Sequence, residues 1–161
     1  METPRLTLRE FRPDDLDELE IILSDSLVME FSSKGPLSRK DTSNFINWCI
    51  ESYENNGYGQ WAVIDRETES LIGLCALSQT EINSKKEVEI GYRLAQNAWG
   101  KGFATEAGAA VLHFGFGFGF GFEKHKLKSI VAIVSLENRA SIRVAVKLGF
   151  TDYSVGVYKG K

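Results

Sequence analysis

The sequence predicts a single α/β domain, a mixed and mostly antiparallel sheet flanked by helices. Three observations carry this. Segments with the period-two alternation of strands interleave with segments whose apolar residues recur at helical spacing. Near the middle, three strand-like segments follow one another across short polar turns. The third then runs through a glycine-rich turn into a helix, and strand and helix signals alternate from there on. The 161 residues fit one domain. A chain of this length buries roughly two-thirds of its unfolded surface without staples. Its 43% hydrophobic and 25% charged residues are the balance of a chain with a core.

The elements read off in order. Leu6, Leu8 and Phe11 flank polar Thr7 and Arg9 in a short strand. Pro13-Asp14-Asp15 opens a helix, since proline and acidic residues suit a first turn. Leu16, Leu19, Ile22 and Leu23 share one face of it. After the Gly35-Pro36 break, Ser38 is placed to cap a second helix. Its apolar side is Phe45, Ile46, Cys49 and Ile50, and it ends near Gly57. Residues 60–64 and 71–77 form a hairpin across a polar turn, and Asn83-Ser84-Lys85-Lys86 turns the chain into a fourth strand at 88–94. A helix from Ala104 to about Phe116 follows. Ser129 to Val134 reads as a strand. Asn138 caps a last helix that Gly149 ends, with Phe150 placed for the hydrophobic contact of a Schellman turn. Tyr153 to Tyr158 reads as a final strand.

Composition excludes several classes. The net charge of −3 argues against a nucleic-acid binder. Cys49 and Cys75 sit among apolar residues as buried thiols, and His113 and His125 lie far from both, so no metal is expected. The start METPRLTL lacks the apolar core of a signal peptide, and no apolar run is long enough to span a bilayer. A soluble cytoplasmic protein without membrane contact is expected, monomeric or homodimeric.

The chemistry concentrates in Tyr92 to Glu106, YRLAQNAWGKGFATE. Gly100 and Gly102 permit positive φ and close approach of a ligand to the backbone. The first N–H groups of the following helix lack intrahelical partners, and the helix dipole adds partial positive charge. This is a phosphate site by construction. The dinucleotide fingerprint fails because Thr105 stands where its third glycine belongs, and Walker A fails because Gly102 follows Gly100-Lys101. The spacing Gln/Arg-x-x-Gly-x-Gly/Ala fits Asn97-Ala98-Trp99-Gly100-Lys101-Gly102, except that Asn97 takes the first position.

That loop resembles the acetyl-coenzyme A loop of the GNAT N-acetyltransferase superfamily. Glu89-Ile90-Gly91-Tyr92, Asn138-Arg139-Ala140-Ser141 and Lys147-Leu148-Gly149-Phe150 are similar to its Rim-type branch, as are Arg5-Leu6-Thr7-Leu8-Arg9 and Asp14-Asp15-Leu16. The branch holds ribosomal-protein N-terminal acetyltransferases and relatives that act on spermidine and antibiotics. The resemblance implies the acyl-CoA N-acyltransferase fold, with acetyl-CoA as cosubstrate and direct attack of a primary amine on the thioester. The amine would belong to a ribosomal or other protein N-terminus, a polyamine or an aminoglycoside-like molecule. Two departures stand out. Ala145 occupies the position where many family members carry a general-acid tyrosine. The branch also continues through another strand beyond Lys161, so the last strand is expected to be missing or incomplete.

The resemblance assigns roles residue by residue. The fourth strand is expected to bulge near Tyr92-Arg93 and splay from the fifth, with pantetheine filling the gap. The Leu94 N–H would polarise the acetyl carbonyl. The N–H groups of Gly100, Gly102, Phe103, Ala104 and Thr105 would hold the pyrophosphate, with Lys101 as an auxiliary charge. Asn138 would bond the pantetheine arm; a helix cap has the same signature. Glu89 is the candidate base, direct or through water, although an outward carboxylate on an alternating strand looks alike. Ser141 is the candidate acid for the departing thiolate, and the competing reading is a first-turn serine bonded to the backbone. Trp99 reads as packing, and His113 and His125 as surface or packing residues. Phe31, Trp48, Tyr53, Tyr58 and Trp61 fit either the acceptor side or the core. The run FGFGFGFGF at 114–122 has no counterpart in the family pattern and reads as an insertion of Gly-Phe units. A non-catalytic acyl-CoA-binding or regulatory domain is the alternative function.

Overall fold

The computed structural model describes residues 1–117 and 127–157. Most of the Gly-Phe run, with His125 and Tyr158, lies outside the described residues. Within them the chain forms β1 (Leu6–Glu10), α1 (Leu16–Leu23), α2 (Arg39–Asn56), β2 (Gln60–Asp65), β3 (Leu71–Ile82), β4 (Lys85–Leu94), α3 (Phe103–Gly115), β5 (Val131–Ala132) and α4 (Arg139–Lys147). Single 3₁₀ turns at Pro13–Asp15 and Gln96–Ala98 lead into α1 and the glycine loop.

The capping chemistry holds. The Ser38 hydroxyl accepts the Asp41 N–H at the start of α2, and Gly57 ends that helix at φ 70°. Asn138 Oδ1 accepts the Ser141 N–H at the start of α4. Gly149 leaves α4 at φ 95°, and the Phe150 N–H reaches back to the Ala145 carbonyl.

The sheet runs β1-β2-β3-β4-β5. The first three pairings are antiparallel and β4–β5 is parallel. Helices cover both faces. On one, α1 and α2 bury Leu19, Ile22, Leu23, Ile46 and Cys49 against Phe11, Ala62 and Leu74. On the other, α3 buries Ala107, Val111 and Phe114 against Leu8, Val63, Cys75 and Leu77. The two cysteines thus lie in different cores. Burial pushes both thiols up to about 12, so neither is a ready nucleophile.

Three expectations change, and the last strand, expected to be missing or incomplete, is absent among the described residues. The turn between β3 and β4 is tighter than expected. Asn83 and Ser84 both take left-handed conformations (φ 50° and 61°), so the strands continue to Ile82 and Lys85. β4 carries no bulge against β3, for their register is regular from Ile82–Lys85 to Gly73–Leu94. The irregularity lies between β2 and β3, at Val63/Ile64. β5 has two residues instead of six, because it leaves β4 after two matched positions, Glu89–Val131 and Ile90–Ala132. Residues 151–157 form no strand, and Tyr153, Val155 and Val157 are exposed.

One ion pair anchors the β1–α1 connection. The Arg9 guanidinium grips both oxygens of buried Asp15 at 2.7 and 2.8 Å, and the Arg12 N–H adds a third bond at 2.8 Å. Burial raises the Asp15 pKa, but these bonds and the Arg9 and Arg12 charges outweigh it, so the carboxyl ends below its usual range. Asp15→Asn should therefore cost about 1–3 kcal/mol at neutral pH. A depressed folded-state pKa gives stability that is complete above the unfolded value, near ~3.9, and lost as pH falls through the folded one. Urea midpoints of the two proteins should differ at pH 7 and converge in acid. Equal midpoints at pH 7 would contradict the assignment.

Candidate functional site

The parallel pairing of β4 with β5 ends at Ile90–Ala132. Beyond it the two segments part, and a cleft of about 880 Å³ opens between β4 and α4. The antiparallel ladder decides which backbone groups face it. The Ala95 N–H donates to the Ile72 carbonyl at 2.8 Å, so alternate residues Gly91 and Arg93 turn their N–H groups towards β3. The intervening Tyr92 and Leu94 turn theirs into the cleft. Gly73 makes this edge possible. Its φ is 154°, and a Cβ there would lie 2.1 Å from the Arg93 carbonyl. The sequence carried the clue as a glycine within the apolar strand LIGLCAL.

The cleft leads to the start of α3. Gly100 and Gly102 adopt φ 75° and 82°, and a Cβ on Gly100 would meet nothing within 4 Å. The first intramolecular bond in this turn is from the Glu106 N–H to the Gly102 carbonyl. The N–H groups of Gly102, Phe103, Ala104 and Thr105 thus have no acceptor among the described residues. The Trp99 indole donates to the Leu94 carbonyl at 2.7 Å and ties the loop to the strand end.

A long-range clamp fixes the other side of the loop. Thr3 Oγ1 donates to Glu106 Oε1 at 2.6 Å, the Arg5 N–H to the same oxygen at 2.9 Å, and Arg5 Nε to Oε2 at 2.7 Å. Arg5 also donates to the Lys101 carbonyl at 2.9 Å, and its guanidinium lies 4.6 Å from the Phe103 ring centroid. Burial raises the Glu106 pKa, but the Thr3 and Arg5 bonds prevail and keep the carboxylate ionised. Sequence reading missed this clamp, because its partners are about a hundred positions apart.

On the far wall, α4 presents Arg139, Arg143 and Lys147, four residues apart and therefore in one stripe. Asn138 and Ser141 also line the cleft. The Tyr92 hydroxyl donates to the Ser141 carbonyl at 2.9 Å and spans from β4 to α4. Burial raises the Tyr92 pKa despite that bond, so the phenol stays protonated. The opposite end of the cleft is walled by Leu27, Val28 and Phe31, with Gln60, Ser78, Glu89 and Arg93 on the sheet beneath.

Of the expected site residues, Glu89, Tyr92, Arg93, Leu94, Gly100, Gly102, Phe103, Ala104, Thr105, Asn138 and Ser141 thus surround one cleft. Asn97 and Lys101 are exposed and outside its lining. Of the five aromatic residues considered for the acceptor side, only Phe31 lines it; Tyr58 and Trp61 belong to the core under α3. Ala145, at the family's tyrosine position, is buried. His113 is exposed in the last turn of α3.

Comparison with known proteins places this geometry. Residues 5–151 match the family model of an acetyltransferase (GNAT) domain. The chain is 32% identical to the N-acetyltransferase p20 of Bacillus licheniformis over 149 residues, 92% of this chain and 80% of p20. It is 30% identical to a GNAT-family acetyltransferase from Bacillus anthracis of known structure, with a TM-score of 0.75 over 92% of this chain and 81% of that one. It also shares its fold with RimL, a ribosomal L7/L12 alpha-N-protein acetyltransferase solved with coenzyme A. There the identity is 18% and the TM-score 0.71, over 91% of this chain and 80% of RimL. The match across nearly the whole chain, together with the fold it predicts, shows that this protein is a GNAT-family acetyltransferase.

Proposed function

We propose that the protein moves an acetyl group from acetyl-CoA to a primary amine by direct attack on the thioester. The observation that carries this reading is the single cleft joining the open β4 edge to the unpaired N–H groups of α3. Coenzyme A has a peptide-like arm and a pyrophosphate, and RimL is a fold neighbour solved with it. The residues fit the molecule. The left-handed glycines leave room for phosphate at the helix dipole, and Arg139, Arg143 and Lys147 add positive charge on the facing wall.

When bound, acetyl-CoA supplies the activated carbonyl. The Tyr92 and Leu94 N–H groups pair with the arm and carbonyl as an extra strand would, and the Leu94 N–H polarises the carbonyl oxygen. Tyr92 holds α4 at a fixed distance from β4, which sets the width of the slot. Asn138 keeps its cap with Oδ1 and offers its amide N–H₂ to the arm. Ser141 protonates the departing thiolate. Glu89 stands five positions before Leu94, about 16 Å along the strand at ~3.3 Å per residue. A carboxylate side chain does not span that, so Glu89 accepts the amine proton through a chain of water molecules. Most of the acceleration comes from alignment of the two substrates, which contributes about 7–11 kcal/mol in favourable systems.

Gly102→Val should abolish acetyl-CoA binding, read by calorimetry, while the fold persists. A β-branched residue at φ 82° is strained, and its Cβ would stand 3.5 Å from the Arg5 guanidinium that braces the loop, so the N–H groups would no longer converge on a phosphate. Wild-type affinity in that variant would place the phosphates elsewhere.

Glu89→Gln and Ser141→Ala should each lower kcat, with losses up to ~10²–10⁴-fold and little change in acetyl-CoA affinity. The Glu89→Gln deficit should shrink at high pH, where free amine is abundant. Thiol-release kinetics between pH 6 and 10 read both effects, and a pH-independent wild-type rate in either variant removes that residue from the proton path.

A further inference from the structure

We propose that Arg93 is the anion-binding residue of the acceptor half of this cleft, so that the acceptor amine carries a carboxylate or phosphate close to its nitrogen. The proposal rests on the acetyl-transfer reading above and names its substrate class.

The strand alternation sets the direction. Tyr92 and Leu94 belong to the core beneath α3, on the side of the glycine loop. Arg93 stands opposite Leu74 in the β3–β4 register, and Leu74 belongs to the core beneath α1 and α2. Arg93 therefore shares its face with Ala76, Ser78, Gln60 and Glu89, the floor under Leu27, Val28 and Phe31. That face is turned away from the start of α3, so the pyrophosphate is not its partner.

The guanidinium differs from those of the other arginines: Arg12, Arg139 and Arg143 also make no ion pair among the described residues, but all three are exposed, and the rest are paired or bonded. Arg5 is paired with Glu106, Arg9 with Asp15, and Arg39 with Asp17 and Glu20; Arg66 donates to the Thr3 carbonyl. Arg93 is half-buried, lines the cleft and has no hydrogen-bond or ion-pair partner among the described residues. Burial pulls its pKa below the usual arginine value, and nothing offsets it. A desolvated guanidinium with no acceptor is costly inside a protein, whereas its planar fork suits a carboxylate or phosphate. An ion of that kind would also be fixed beside Leu94, where the acetyl carbonyl is held. A substrate bridging both points has its anion near its amine, as an amino acid or an aminoalkyl phosphate does. A polyamine offers no such group.

The test uses matched amines: L-phenylalanine against L-phenylalaninamide, and phosphoethanolamine against ethanolamine, with spermidine as the cationic control. Binding to the enzyme–CoA complex is measured by calorimetry and turnover with acetyl-CoA by thiol release. The expected result is that one anionic amine binds about tenfold or more tightly than its neutral partner. Which pair shows the preference tells carboxylate from phosphate. Arg93→Gln should erase the preference through KM, the anionic amine falling to the level of its neutral partner while CoA affinity holds, and Arg93→Lys should restore part of the preference. A wild-type protein without preference for either anion, or one that favours spermidine, overturns the proposal, and this arm needs no variant to fold. Loss of CoA affinity in Arg93→Gln overturns it as well. Tight anionic binding without thiol release upholds Arg93 and overturns acetyl transfer instead.

Discussion

The structure depends on one departure from regular sheet pairing. β4 and β5 keep company only as far as Ile90 and Ala132 and then part. A backbone N–H inside a protein needs an acceptor, and the net stability of a domain is too small to leave several without one. At Tyr92 and Leu94 the fold leaves two such donors aimed at a cleft. An amide-bearing ligand completes the ladder there, and this is why a peptide-like arm belongs in the slot. The surrounding features serve that opening. Gly73 lets β3 press against the last residues of β4, the Trp99 indole pins the strand end, and the Tyr92 hydroxyl holds α4 across the gap.

The phosphate cradle is held from outside. A left-handed glycine loop is conformationally permissive, and its N–H groups can converge on an anion only if the loop is fixed. The segment before β1 does this through Glu106, which gathers bonds from Thr3 and Arg5 while Arg5 also takes the Lys101 carbonyl. The carboxylate at the first turn of α3 also sits well against the helix dipole. Arg5 neutralises it and so limits its repulsion of a bound phosphate.

How much of this was legible in the sequence follows from the range of each interaction. The glycine loop, the Ser38 and Asn138 caps and the ends at Gly57 and Gly149 were readable, because each is decided within a few residues. The fold class followed from alternation and order, and family resemblance supplied the splay of the two strands. The Asn83-Ser84 turn was drawn two residues too long because non-glycine residues rarely take the left-handed region. β5 was drawn too long because Ser129 to Val134 has strand character throughout, while only two of its residues keep a partner. The Arg5–Glu106 clamp and the solitary state of Arg93 were invisible, since both depend on which residues the fold brings, or fails to bring, alongside. The α4 stripe was overlooked although its four-residue spacing could have shown it.

Hydrogen exchange at β4 tests the central claim most directly. Gly91 and Arg93 bond to β3, whereas Tyr92 and Leu94 face the cleft, so alternate amides of one strand should differ. Without ligand, the Tyr92 and Leu94 amides are predicted to exchange faster than those of Gly91 and Arg93. With saturating acetyl-CoA they should slow, together with those of Gly102 to Thr105. Tyr92 and Leu94 amides already protected in the free protein, or unchanged on binding, would contradict the account.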